Sequence, residues 1–211
     1  MGALVVPSGC RRTRLRGGRA DEKTCGVITV RSLDSDEWPI WRGLRLRALE
    51  DSPEAFGSTL AEVIARDTEH YWRQGVSPPM VPFVAEVDGA PAGMARLMFP
   101  DHPDRAELVS VWVAPEARDR GVGHALVASG IDHLAAHHPL TRLRLAVVET
   151  NMPARRLYEG CGFAVIGRNP DDDAELLMER PAPASASPSS TASASPSSTA
   201  SASGSDAKPG A

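Results

Sequence analysis

VSVWVAPEARDRGVGHALVASGIDHL, residues 109–134, is the stretch on which the fold turns. Its apolar strand pattern ends at Val113. A loop follows, and Arg118-Asp119-Arg120-Gly121-Val122-Gly123 then leads straight into a helix that carries Val127, Ile131 and Leu134 at helical spacing. The glycines let the chain turn tightly and let a ligand approach the backbone closely. The first N–H groups of such a helix have no earlier carbonyl to bind, and the positive end of the helix dipole lies behind them. Strand, Gly-rich loop and helix in that order therefore make a cradle for phosphate. Alone, G-x-G is weak, because two glycines before a helix also make an ordinary turn. Leu126 stands where the dinucleotide fingerprint needs its third glycine, and the Lys-Ser/Thr pair of a P-loop is missing, so those two nucleotide chemistries are disfavoured.

Working outward, residues 143–167 read LRLAVVETNMPARRLYEGCGFAVIG. A strand ends near Val148, Asn151 stands at a helix N-cap position, and Tyr158 closes a short helix before Gly162-Phe163 turns into the next strand. Taken singly, Asn151 is a cap and Tyr158 a packed aromatic.

Upstream, Gly26–Arg31 alternates as a strand, and Asp34–Leu49 places Trp41, Leu44 and Ala48 on one helical face. Pro53 and Gly57 break the chain there. Thr59 and Glu62 form a capping box that opens a second helix. That helix is expected to run to about Gln74, with Leu60, Ile64 and Tyr71 on its apolar face and Val63 beside them. Phe83–Val87 and Gly93–Phe99 flank Asp88-Gly89, a strong hairpin turn signal. Strands at 106–113, 142–148, 163–166 and 175–178 complete the alternation, which predicts a mixed sheet flanked by helices.

The remainder of the chain bounds the function. Hydrophobic residues make up 42% and charged residues 24% of 211, an ordinary globular composition. The longest apolar runs, Ala3–Val6 and Leu145–Val148 among them, fall far short of the ~20 residues that span a bilayer, so a transmembrane protein is excluded. The formal charge of -4 does not suit a nucleic-acid-coating protein. Residues 1–25 are rich in Arg and Gly, without periodicity. Their apolar piece precedes the arginines and no apolar segment follows Arg11-Arg12, so neither a signal peptide nor a twin-arginine signal fits. A disordered basic leader or an over-extended start is expected. Residues 182–211 contain a repeated ASASPSST unit, with too little apolar area to offset the entropy of ordering, and read as a disordered tail. Cys10, Cys25 and Cys161 lack metal-ligand spacing and leave one unpaired. They suit a reducing, cytoplasmic compartment. His137-His138 has no further ligand at metal spacing, and no metal is expected.

Residues 26–181 resemble the GCN5-related N-acetyltransferase (GNAT) superfamily. Arg118, Gly121 and Gly123 match its R-x-x-G-x-G pyrophosphate motif, preceded by V-x-V at Val111 and Val113. N-x-x-A-x-x-L-Y-E-x-x-G-F, from Asn151 to Phe163, matches its second block. Two blocks in the correct order are far more specific than either alone. The resemblance implies an α/β (mixed α+β) fold, with a twisted, mostly antiparallel sheet of about seven strands flanked by about four helices. It implies an N-acetyltransferase that moves acetyl from acetyl-CoA, as co-substrate, to a primary amine by direct attack. The alternative is a silent acyl-CoA-binding sensor.

In the roles carried over, Val111, Trp112 and Val113 hold the pantetheine arm through main-chain groups like an added strand. Backbone N–H groups of Asp119, Arg120, Gly121, Val122 and Gly123 hold the pyrophosphate, with Arg118 and Arg120 nearby and His124 beside them. Asn151 contacts the cofactor arm or orders the loop beside it. A β-bulge parts the strand ending at Val113 from the strand ending at Val148. Tyr158 protonates the departing thiolate. Glu107 is a candidate base, on the expectation that it shares a face with Val109, Val111 and Val113 by the period of two. A solvated charge is the competing reading of Glu107, and Glu54 and Glu62 are weaker candidates for the base.

Partners are expected to be a small-molecule or peptide amine, with no nucleic acid or membrane. The chain is expected to be a monomer or homodimer. The net charge of residues 25–181 is -8, consistent with a cationic amine and equally with solubility alone.

Overall fold

The computed structural model describes residues 4–6, 26–100, 102 and 104–182. The remainder of the basic leader, Cys10 and Cys25 within it, and the repeat tail from residue 183 onward lie outside the described residues.

The described residues form a sheet of eight strands: β1 Leu4–Val6, β2 Ile28–Ser32, β3 Val81–Val87, β4 Ala90–Met98, β5 Arg105–Val113, β6 Arg142–Val148, β7 Ala164–Asn169 and β8 Asp172–Arg180. Their spatial order is β1-β2-β3-β4-β5-β6-β8-β7. Every adjacent pair is antiparallel except β5 and β6, which run parallel. The helices are α1 Trp38–Asp51, α2 Leu60–Ile64, α3 Glu69–Val76, α4 Val122–His137 and α5 Met152–Gly160. From β2 onward these are the seven strands that the alternation predicts. Leu4–Val6 adds an edge strand in a segment whose sequence shows no periodicity.

The hairpin between β3 and β4 closes as its residues dictate. Asp88 and Gly89 both take left-handed φ, 53° and 81°, and Val87 pairs with Ala90. A two-residue turn of that hand matches the twist of the strands it joins.

Helices cover both faces of the central strands. On one face α4 lies so close that a Cβ at Gly130 would stand 3.4 Å from Leu108 Cδ1. On the other, α1 buries Trp41, Leu44 and Ala48, the face its periodicity picks out. Arg96 of β4 lies under the Trp41 ring, and the Arg47 guanidinium lies 5.5 Å from the Trp112 ring. Covered on both sides, β4 buries Met94 and Leu97 from opposite faces.

The second helix departs from expectation. The Thr59–Glu62 box forms, with Glu62 N donating to Thr59 Oγ1 at 3.2 Å and Thr59 N to Glu62 Oε2 at 2.8 Å. The helix nevertheless ends at Ile64, and α3 begins after Thr68, whose Oγ1 accepts from Tyr71 N at 3.3 Å. Thr68 is a second N-cap, and its extended backbone cannot continue a helix. The break re-aims the apolar face: Val63, Trp72 and Val76 are buried, whereas Ile64 is 54% exposed.

Candidate functional site

The site begins with an irregularity in β5. Val109 pairs with Arg96 and Trp112 with Met94, so β5 spends an extra residue where β4 spends one. Ser110 takes φ 57° at that point, the left-handed geometry of a bulge. The extra residue reverses the inward–outward phase of the strand. Glu107 and Val109 consequently share the face of Trp112, and Val113, opposite Gly93, lies on the other face. The expectation that Glu107 shares a face with Val111 and Val113 is therefore corrected.

Beyond the bulge β5 leaves β6. The two strands pair only at Arg105–Arg142, Ala106–Leu143 and Glu107–Arg144. From Val109 to Val113 the edge facing β6 has no ladder partner there. The gap opens into two adjoining cavities of about 440 and 480 Å³ that share Phe56, Val111, Asn151, Ala154 and Tyr158 as common walls.

The larger cavity runs to the Gly-rich loop. Gly121, at φ 89°, is the N-cap of α4, and Asp119 before it is also left-handed at φ 59°. The N–H groups of Val122, Gly123 and His124 belong to the first turn, which leaves them without helical acceptors. All three residues line the cavity. Gly123 permits a close approach on the inner side, where an added Cβ would stand 3.1 Å from Leu157 Cδ2.

α5 closes the cleft. Asn151 Oδ1 accepts from Ala154 N at 3.2 Å and so caps the helix, and Asn151, Ala154 and Tyr158 succeed one another along one helical face. Tyr158 is 7% exposed, and its ring packs edge-on to Phe163 at 6.0 Å. The turn after α5 fixes it from behind: Phe163 N donates to the Tyr158 carbonyl at 3.0 Å, and Gly162 turns the chain at φ 86°. Burial, with Cys161 nearby, pushes the Tyr158 phenol above its ordinary range. Cys161 is a free, half-buried thiol whose pKa burial also raises.

Val111, Trp112, Val113, Arg118, Asp119, Gly121, Val122, Gly123, His124, Asn151 and Tyr158 all line the larger cavity. Of the residues singled out in the sequence, Arg120, Glu107 and the weaker base candidates Glu54 and Glu62 line neither cavity. The Arg120 guanidinium is turned towards Gly26 and Asp88, where an added Gly26 Cβ would meet Arg120 Nη2 at 2.6 Å. Glu107 lines neither cavity and lies 3.7 Å from Arg105.

The chain matches the family model described as "Acetyltransferase (GNAT) family" over residues 29–163. It belongs to the GNAT acetyltransferase family.

Among curated relatives of this GNAT chain, a mycothiol acetyltransferase of Thermomonospora curvata is 35% identical over 139 residues, 64% of this chain and 44% of that protein. The chain spans about half the length of the curated relatives it matches. Among solved structures, the ribosomal-protein-S18-alanine N-acetyltransferase of Escherichia coli superposes with TM-score 0.54 at 22% identity, over 74% of this chain and 94% of the other. The PaiA N-acetyltransferase of Thermoplasma acidophilum, in complex with coenzyme A, superposes with TM-score 0.59 at 17% identity, over 73% and 98%. At those identities the agreement is one of fold.

Several residues of this GNAT cleft escaped the sequence. Beside Phe56, the smaller cavity is lined by Arg45, Arg96, Ser110 and Glu175, none of them in a motif. Phe56 and Arg45 meet as ring and guanidinium at 4.3 Å. Glu175 of β8 accepts from Asn169 Nδ2 at 2.7 Å, and no other carboxylate lines this cavity among the described residues. No described helix is long and apolar enough to cross a membrane.

Proposed function

We propose that this chain transfers the acetyl group of acetyl-CoA to an amine held in the smaller cavity. The carrying observation is the parting of β5 from β6 at the Ser110 bulge, with a phosphate cradle at one end of the gap and Tyr158 at its middle. The first-turn amides of α4 suit the pyrophosphate by their unsatisfied N–H groups and the helix dipole. The unpaired edge of β5 suits the amide-bearing arm, which can bind it as a strand would. A main-chain N–H in the gap can polarise the thioester carbonyl.

The amine nitrogen attacks that carbonyl carbon, the C–N bond forms, and the C–S bond breaks. The Tyr158 phenol supplies the proton that the thiolate takes, since its raised pKa keeps it protonated through the neutral range. The proton shed by the amine goes to Glu175, directly or through water. Glu107 lines neither cavity, whereas Glu175 is the carboxylate that lines the acceptor side. Acceptors to assay include the mycothiol-type substrate carried in the curated relatives' name.

The test is calorimetric titration of acetyl-CoA into the full chain beside a Gly121→Glu, Gly123→Glu double variant. Micromolar binding that the variant loses supports the reading, because two carboxylates in the cradle crowd and repel phosphate. A folded wild-type chain that binds no acetyl-CoA overturns it.

A further inference from the structure

The wall of the smaller cavity contains two arginines without ionic partners. Arg45 on α1 and Arg96 on β4 both line it, and the positive charge of Arg96 is felt at Arg45. Among the described residues neither is within ion-pair distance of a carboxylate, in contrast to most of the arginines around them. Their contacts are neutral. Arg45 Nη2 donates to Ser58 Oγ at 2.9 Å and its guanidinium lies over Phe56; Arg96 Nη1 donates to the Gly75 carbonyl at 3.0 Å. Arg45 Nη1 and Arg96 Nε are buried with no partner at all.

Two like charges set side by side out of water are costly unless an anion joins them. Burial and the neighbouring Arg96 together depress the Arg45 guanidinium to about 10. Folded chains rarely leave buried charged donors unsatisfied, and such groups mark a place for a ligand. Glu175, the carboxylate of the same cavity, is engaged by Asn169 and lies beyond ion-pair distance of either arginine. The cavity thus offers two cations on its α1–β4 side and one carboxylate on its β8 side.

We propose that the acceptor is an amine that also carries an anionic group, and that Arg45 and Arg96 bind that group. This rests on the acetyltransferase reading. The shared chemistry is an oxyanion, either a carboxylate, as in an amino acid, or a phosphate ester. A guanidinium pair recognises both through paired N–H donors. The amine end would lie toward Glu175 and the gap. The overall -8 of residues 25–181 says nothing against this, because it is spread over the surface and the cavity wall is locally positive.

The experiment uses the full chain with acetyl-CoA and matched acceptors: phenylalanine against phenethylamine, 4-aminobutyrate against butylamine, and phosphoethanolamine against ethanolamine. Thiol release gives kcat/KM for each. In parallel, the N-acetylated form of each is titrated into the CoA-saturated chain, where the phosphate cradle is already filled. The anionic member of at least one pair is expected to be favoured about 10- to 100-fold, the range of a charge-assisted contact. Arg45→Gln collapses that ratio, Arg45→Lys keeps part of it, and CoA affinity stays the same in both. Preference for the carboxylate or the phosphate pairs tells the two sources apart.

Equal use of both members of every pair, failure of all the anions to bind or react, or a preference that survives Arg45→Gln overturns the inference. A chain that binds no CoA sinks the acetyltransferase reading instead. Anion binding is then measured on the CoA-free chain, where the absence of any Arg45-dependent binding still refutes the arginine site.

Discussion

At the mouth of the cradle the Arg118 guanidinium is ion-paired with Asp51, on the last turn of α1. The same carboxylate accepts from Trp112 Nε1 at 2.9 Å, and Arg118 Nε donates to the Val113 carbonyl at 3.1 Å. Hydrogen bonds from Ser52, Trp112 and Arg118 hold Asp51 below the usual carboxylate range. The motif arginine therefore acts as a tie between α1, the end of β5 and the loop, and under the proposed function the backbone amides would meet the phosphates.

Asp51→Ala should loosen that tie. It removes the acceptor for three charge-assisted donors, at a cost of about 1–3 kcal/mol to stability. The expected result is a lower unfolding temperature and a several-fold rise in KM for acetyl-CoA, with kcat little changed. An unaltered KM would show that the loop holds its shape without Asp51.

The two glycines of the motif should fail in different ways. Gly121 has open space around a would-be Cβ, but its φ of 89° strains any L side chain. Gly121→Ala should cost about 1–2 kcal/mol of stability from the backbone alone. Gly123 is helical, and its Cβ would press on Leu157, next to Tyr158. Gly123→Ala should keep more stability than Gly121→Ala yet lower kcat further, by displacing α5. Denaturant unfolding and steady-state rates on both variants check the contrast.

How much of this was legible beforehand depends on whether the signal is local. The cradle and the cap at Asn151 are written in short runs of sequence, because each is made by neighbours in the chain. The Asp88-Gly89 turn was legible for the same reason. The bulge was expected only from the family resemblance, and its place at Ser110 was not legible: serine is unremarkable in a strand, and the left-handed residue is set by pairing with β4. That one hidden residue reversed the face assigned to Glu107. Thr68 was passed over because Leu60, Ile64 and Tyr71, at spacings of four and seven, fall on one helical face across it, although its capping chemistry was in plain view. Arg45 and Arg96 lie 51 residues apart, and only the meeting of α1 with β4 brings their charges together.

Acid should weaken the α1–α3 contact through Asp67. Arg42 first, and then Trp72, whose Nε1 donates at 2.6 Å, depress this carboxylate from its ordinary value to about 2. A carboxylate with a depressed folded pKa stabilises the fold fully above its unfolded pKa of about 4, and that contribution is lost as pH falls through the folded value. Thermal unfolding followed from pH 5 down to about pH 2 should therefore show a loss that Asp67→Asn has already incurred at neutral pH, so the variant's curve is flatter. Parallel curves for the two proteins would mean that Asp67 does not contribute.

Tyr158 supplies the sharpest test of the chemistry. Replacing it with Phe keeps the ring against Phe163 and removes only the proton donor, so acetyl-CoA affinity should persist while kcat falls about 100-fold or more. Burial raises the phenol's pKa, which sets two signs. Since the folded phenol stays protonated, kcat of the native chain should not decline between about pH 8 and 10 on its account. Above about pH 10 the unfolded chain releases the tyrosine proton and the folded chain retains it, so stability falls with rising pH, and Tyr158→Phe should lessen that fall. A Tyr158→Phe variant with native kcat would assign the proton to another donor and leave Tyr158 as a packed aromatic.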